Sequence, residues 1–334
     1  MLSRVNSWRV NTSDFETIKV LATGAVGTVC LVRAKADSKV YAMKTLKKID
    51  LLTRQEAGFF MEERNALVFA QNSQWITTLH AAFQDEDNLY LIMEYVSGGS
   101  LRNFMNSQES ALNEDDVKFY VAEMVLALDE LHKNNIIHRD VKPENSLIDS
   151  SGHIKLADFG SCIKLSDSNA KICSGDTVGT PEYVCPEILQ ANEGKYSYSR
   201  EADWWSLGII TYELLFDDTP FYSDSLMGLY HNIIGHEQNF VFPEEREVSP
   251  ECRDFLSKLI VSGDKRLGRN STAEIKAHPW FKGINWDTIR TQTPPFVPEL
   301  NGPDDTRYFE DEEDESKNAR GPSRMPVRSG HMAP

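Results

Sequence analysis

The segment His138-Arg139-Asp140-Val141-Lys142-Pro143-Glu144-Asn145, followed thirteen residues later by Asp158-Phe159-Gly160, constrains this chain more than any other feature. It sets two carboxylates and an amide carbonyl within reach of one phosphate. Asp140 is suited to accept the proton of an attacking hydroxyl, and Asp158 and Asn145 to hold Mg²⁺ against the oxygens of ATP. Lys142, two residues past the base, is suited to a migrating phosphoryl group. Either tripeptide alone can fall on a surface loop by chance. Both, in order and at this separation, point to phosphoryl transfer, which needs positioning and charge neutralisation more than covalent chemistry.

The remaining machinery is expected upstream. In Leu21-Ala22-Thr23-Gly24-Ala25-Val26-Gly27-Thr28-Val29, glycines let backbone N–H groups approach a triphosphate with no Cβ in the way. Tyr41-Ala42-Met43-Lys44 then sets a lysine in an apolar run. Such a lysine is more often a snorkelling surface residue. Here the helically spaced Phe59–Leu67 offers it Glu63, nineteen residues on. Glu62 is the rival; Glu63 is preferred because Leu67, four residues later, shares its inward face.

On these residues the chain resembles the eukaryotic protein kinase superfamily from about residue 15 to 283. Within it the chain is similar to the AGC group, in the branch of Rho-associated kinase, myotonic dystrophy kinase and citron kinase, and nearest to citron kinase. The finer resemblance rests on Phe59–Arg64, Ala82–Asp85, Asp158–Cys162, Asp203–Gly208, Ile284–Trp286 and Pro294–Pro298. It implies an α+β, two-lobed protein-kinase fold: a small β-rich N-lobe with one long helix and a larger, mainly helical C-lobe. The expected order is a lead-in at 1–14 and a catalytic domain at 15–283, made of N-lobe 15–93, hinge 94–99 and C-lobe 100–283. An AGC-type tail at 284–309 follows, then a segment at 310–334 read as disordered. Strands are expected at Thr17–Val20, Val29–Arg33, Val40–Lys44 and Leu89–Met93, with helices at Arg54–Ala70, Asp115–Lys133 and Asp203–Phe216. In the second helix Val117, Tyr120, Val121, Met124, Val125, Leu128 and Leu131 mark a buried face.

The resemblance also implies roles. ATP would lie among Ala22, Gly24, Gly27, Val29, Ala42 and Leu147, with Met93 as gatekeeper, backbone groups of Glu94 and Val96 on adenine, and Phe309 reaching in from the tail. Lys44, paired with Glu63, would position phosphates, and Asn145 and Asp158 would hold Mg²⁺. Thr180 of Gly179–Tyr183 would bond Asp140 and Lys142, which argues for serine/threonine specificity. Glu187 would pair with Arg266, and Asp203 would anchor the His138–Asp140 loop. Leu67, Leu79, His138 and Phe159 would stack between the lobes. Glu144 and Glu213 match positions that recognise arginine upstream of the phosphoacceptor, so protein substrates with Ser or Thr near basic residues are expected. The group's third acid is Ser100 here. Cytoskeletal and cytokinesis substrates, and a Rho-family GTPase partner, follow only from the resemblance.

Four residues depart from the pattern: Ala22 for the first loop glycine, Val26 for the loop-tip phenylalanine, Ser146 for an apolar residue expected beneath adenine, and Cys185 for the alanine of A-P-E. They are expected to lower activity, not abolish it. The reading from another class is a nucleotide-binding pseudokinase scaffold. Such forms usually lose at least one of Lys44, Asp140, Asn145 and Asp158, and all four stand. Asp176 or Thr177, paired with Arg139, is expected to stand in for an activating phosphate.

Composition agrees. A 334-residue chain with 40 % apolar residues can fill two cores. A net charge of −16 argues against a nucleic-acid partner. No apolar run approaches the ~18 residues of a membrane span, and Cys30, Cys162, Cys173, Cys185 and Cys252 show neither zinc nor disulfide spacing. A cytoplasmic location is expected. Nothing in the residues fixes an oligomeric state.

Overall fold

Strand Val40–Lys47 sits at the centre of a five-stranded sheet, and its pairing decides where Lys44 points. A computed structural model describes residues 10–24, 27–53, 57–168, 170–173, 178–191 and 196–309. In it β1 (Phe15–Thr23), β2 (Gly27–Ala34), β3 (Val40–Lys47), β4 (Leu79–Gln84) and β5 (Asn88–Glu94) form an antiparallel sheet ordered β1-β2-β3-β5-β4. Register sets Lys44 opposite Val29 on one side and Leu91 on the other. Strand β4 was not expected. Its His80, Ala81, Ala82 and Gln84 carry little β preference, and pairing with β5 makes the strand.

Two helices follow β3 where one was expected: α1 (Lys48–Thr53) and α2 (Ala57–Phe69). Leu67 on α2 is 1 % exposed and Glu63 is 2 % exposed, so both face inward. Past β5, Gly98 and Gly99 lead into α3 (Leu101–Asn106), capped by Ser100. Gly99 holds φ +76° with the Tyr308 carbonyl where a Cβ would stand, so only glycine suits the close approach of the tail.

The larger lobe is built around α4 (Glu114–Lys133). Asn113 caps it, Glu114, Asp115 and Asp116 lie in its first turn, and His132 and Lys133 in its last. Both ends therefore complement the helix dipole. After the short α5 (Pro186–Ala191) comes α6 (Glu201–Phe216), buried nearly all round, with Trp204, Trp205 and Leu207 at 0 % exposure. Asp217 ends it with φ +62°, its N–H donating to the Glu213 carbonyl.

Two small β-pairs carry the loops of interest. Strands β6 (Ile136–Ile137) and β9 (Ile163–Lys164) pair, as do β7 (Ser146–Ile148) and β8 (Ile154–Leu156). The His138–Asn145 segment thus runs from β6 to β7, and Asp158–Gly160 from β8 to β9, which brings two motifs apart in sequence to one cleft. A continuous apolar core joins the lobes through Leu67, Leu79 and Phe159, with the His138 ring 4.9 Å from that of Phe159. The chain after Trp286 returns over both lobes. Phe296 stacks on Phe104 at 4.9 Å, Arg33 pairs with Asp304 at 2.5 Å, and Phe309 lies 5.5 Å from Tyr95. Among the described residues no helix is long and apolar enough to cross a membrane.

Candidate active site

Lys44 Nζ stands 2.7 Å from Glu63 Oε1 and 2.7 Å from Asp158 Oδ1. Burial alone would lower the ammonium's pKa; Asp158 and then Glu63 outweigh it and hold the pKa above the usual lysine range. Burial raises the Glu63 carboxyl against the pull of Lys44. The same ammonium holds Asp158 down at about 2. Its half-exposed side chain faces the cleft. Asp158 also sits in the left-handed region, φ +54°, as does Arg139, φ +65°. Such strain persists where neighbours over-determine it.

Asp140 forms the second cluster. Its Oδ1 accepts from Thr180 N at 2.9 Å and Thr180 Oγ1 at 2.8 Å, and its Oδ2 lies 3.0 Å from Lys142 Nζ. Lys142 also donates to Thr180 Oγ1 at 2.6 Å. Gly179, φ +97°, makes this approach possible, because a Cβ there would stand 2.5 Å from the Arg139 carbonyl. Asn145 Nδ2 donates to the Asp140 carbonyl at 2.8 Å and to Oδ2 at 3.1 Å. Beneath the loop, Asp203 accepts from His138 N at 3.0 Å, Arg139 N at 2.9 Å and His132 Nε2 at 2.8 Å. Burial would raise that carboxyl; these bonds and the histidines keep it below the ordinary range.

A cavity of ≈ 420 Å³ lies between the lobes. Of the residues expected around a nucleotide, Ala22, Val29, Ala42, Lys44, Glu63, Met93, Glu94, Val96, Leu147 and Phe309 line it, with Asn145 and Asp158. Gly24, Gly27, Asp140, Lys142 and Thr180 line the adjoining space. Leu21, Thr77 and Ala157 also line the cavity, and no motif announced the last two. Their places come from backbone bonds, Thr77 N to Leu156 O at 3.0 Å and Ala157 N to Asn145 O at 2.9 Å.

Glu187 and Arg266 lie away from the cleft, joined at 2.9 and 3.1 Å. Ser146 does not lie where it was expected. It does not line the cavity; it is fully buried and donates to the Lys142 carbonyl at 3.1 Å, so its hydroxyl has a partner and Leu147 faces the ligand space. Cys185 is 1 % exposed, and burial pushes its thiol well up, so it is an inert filler. Val26, Asp176 and Thr177 lie outside the described residues.

Glu144 and Glu213 do come together, on Arg102 of this same chain. Arg102 Nε donates to Glu144 Oε1 at 2.8 Å and its Nη1 to Glu213 Oε1 at 2.8 Å. Arg102 carries no signature in the sequence, because these partners stand 42 and 111 residues away. The only local sign was a cation two residues past Ser100.

A two-lobed α+β fold with these loops facing one cleft defines a class, the protein kinase domain, and that family matches residues 15–281. The chain belongs to it. Serine/threonine-protein kinase MRCK alpha of Homo sapiens is 46% identical over 336 residues, 99% of this chain and 19% of that protein. MRCK beta of Homo sapiens is 46% identical over 316 residues, 94% of this chain and 18% of that protein. Serine/threonine-protein kinase Genghis Khan of Drosophila melanogaster is 44% identical over 337 residues, 99% of this chain and 20% of that protein. The chain spans about a fifth of the length of these relatives. Two of these three names are MRCK kinases and all three are serine/threonine-protein kinases, in keeping with the AGC branch the motifs indicate; the finer expectation named citron kinase.

Proposed function

We propose that this chain is an active serine/threonine protein kinase domain, transferring the γ-phosphate of Mg·ATP to hydroxyls of protein substrates. The observation that carries this is the pairing of two intact clusters: Lys44 held between Glu63 and Asp158, and Asp140 held by Thr180, Lys142 and Asn145. A pseudokinase scaffold has no need of both.

The donor set suits Mg·ATP. Asn145 uses its amide N–H₂ on Asp140, which leaves its carbonyl oxygen for a hard cation, in the cavity that Asp158 also lines. Among the described residues no group of three or more His, Cys, Asp or Glu side chains could hold an ion alone. That agrees with a site whose remaining ligands are phosphate oxygens and water. Mg²⁺ bound there would neutralise charge on the β- and γ-phosphates. Lys44 would add charge to the phosphates and Lys142 to the transferred group, while Asp140 orients the acceptor hydroxyl and takes its proton. Thr180 fixes the Asp140 carboxylate for that task. Met93, the backbone of Glu94 and Val96, Leu147 and Phe309 would enclose adenine.

The catalytic domain would run over 15–283 with a tail at 284–309. By its resemblance to this branch of the AGC group the domain would act on cytoskeletal and cytokinesis proteins in the cytoplasm, and a Rho-family GTPase is the partner class to try. Selection for basic neighbours would rest on Glu144 and Glu213, and both are already bonded to Arg102. The test is Mg²⁺-dependent transfer of labelled γ-phosphate to serine peptides. Transfer lost in Asp158→Asn supports the reading; Mg·ATP binding with no transfer to any protein or peptide would favour the scaffold.

A further inference from the structure

Three elements converge on one guanidinium. Glu144 comes from the Pro143–Asn145 turn beside the catalytic loop, Tyr183 from the Pro181–Tyr183 turn that follows Thr180, and Glu213 from α6. The guanidinium is that of Arg102 on α3. Nε bonds Glu144 and Nη1 bonds Glu213, each at 2.8 Å, while Nη2 donates to the Tyr183 hydroxyl at 2.6 Å. Tyr183 in turn donates to Glu213 Oε2 at 2.7 Å, so the four side chains form a closed set.

The set is well held. The Glu213 side chain is 8% exposed and that of Arg102 25%. A guanidinium presents its donors in a fixed planar fork, and this one meets an acceptor at each of its three nitrogens. An arginine from a peptide would have to displace it, leaving a partly buried cation without partners. Arg102 is tethered, so it competes at a high effective concentration. Two carboxylates against one guanidinium leave a single negative charge, on the side of the half-exposed Glu144. Ser100, where the group carries another acid, adds none; its hydroxyl caps α3, accepting from Asn103 N at 3.1 Å and donating to Asn103 Oδ1 at 2.5 Å.

We propose that Arg102 fills, from within the chain, the acidic pocket of Glu144, Tyr183 and Glu213, and so removes selection for an arginine upstream of the phosphorylated residue. This rests on the kinase reading above and narrows its substrate class to Ser/Thr acceptors without basic upstream determinants. The basic-peptide preference expected from the two acids in sequence is thereby withdrawn.

The test compares peptides of equal net charge that carry one arginine, at each upstream position in turn or at the far C-terminal end. Equal charge removes the general attraction of an acidic protein for cations. The readouts are kcat/KM and, for Ser→Ala forms, the dissociation constant with a Mg·ATP analogue present. The protein as it stands should treat all of them alike within about threefold. Arg102→Ala should gain at least a tenfold preference, about 1.4 kcal/mol, for one upstream arginine, and Arg102→Ala with Glu213→Gln should lose it. Both are ratios within one protein, so a partly folded sample does not distort them. Should Arg102→Ala not fold, Arg102→Gln, which removes the charge and keeps hydrogen bonding, carries the comparison. A tenfold upstream preference in the unaltered protein, or an Arg102 variant that stays within threefold, overturns the proposal. No transfer to any peptide would instead count against the kinase reading, and the affinity ratios would still decide this one.

Discussion

Lys44 shares one ammonium between two carboxylates at 2.7 Å each, and the half-exposed one, Asp158, titrates near 2 because of it. Its folded pKa lies below the ordinary carboxylate value of about 3.9, so the ionised form is the folded form. Its contribution to stability is complete above that value and is lost as pH falls toward 2. Mg·ATP affinity should therefore be flat between about pH 5 and 8 as far as this ligand is concerned. In Lys44→Met the burial of Asp158 is opposed only by the Gly160 N–H and by His138, and affinity should start to fall at a higher pH than in the unaltered protein. Calorimetric titration across pH checks both; an unaltered protein losing affinity with a midpoint near 5 would contradict them. The same variant should fold yet lose turnover on the order of a hundredfold or more, measured at saturating ATP, since a positioned charge on the phosphates is lost. The Lys44–Glu63 bond was legible because helical spacing presents Glu63 and Leu67 on one face. Arg102 was not, because nothing within a few residues of it hints at two acids and a phenol brought from elsewhere by folding.

At the scale of elements, α5 is tied to the segment after helix Pro250–Leu259 by one buried guanidinium. The Arg266 side chain is fully buried and meets Glu187 at 2.9 Å, with further bonds to the carbonyls of Glu201 at 2.9 Å, Leu259 at 3.1 Å and Val261 at 2.7 Å. Arg266→Ala should cost about 3–5 kcal/mol, because it strands a carboxylate 13% exposed and three carbonyls. Urea unfolding followed by fluorescence measures it; a loss below about 1 kcal/mol would sink the argument. Replacing both partners with apolar residues should recover only part, since the Leu259 and Val261 carbonyls still lose their guanidinium donor. Helices α4 and α6 could be read from sequence because one has an apolar stripe and the other is apolar all round. Strand β4 could not, because its neighbour β5 supplies what its own residues lack.

At the scale of the whole molecule, the segment that ends at Phe309 returns to the cleft and lines it with that ring. Tyr95 of the hinge donates to the Asp305 carbonyl at 2.6 Å and packs on Phe309, while Lys19 of β1 donates to the Phe309 carbonyl at 3.3 Å. Phe309→Ala should raise KM for ATP several-fold with kcat nearly unchanged, as expected for an enclosing contact present equally in ground and transition states. Steady-state kinetics decide it, and a fall in kcat alone would contradict it. The two lobes and the quartet Lys44, Asp140, Asn145 and Asp158 were readable because each motif keeps its internal spacing. How the tail crosses the hinge depends on contacts such as Arg33 with Asp304, 271 residues apart, which no local pattern encodes. In the proposed mechanism Asp140 works on the acceptor hydroxyl and Asp158 on the metal. Calorimetry of Mg·ATP binding beside turnover, for Asp140→Ala and Asp158→Ala, tests it most directly. The account predicts that Asp140→Ala binds Mg·ATP within about threefold of the unaltered protein while turnover falls by roughly 10²–10⁴-fold, and that Asp158→Ala loses binding as well. Nucleotide binding abolished by Asp140→Ala and retained by Asp158→Ala would contradict it.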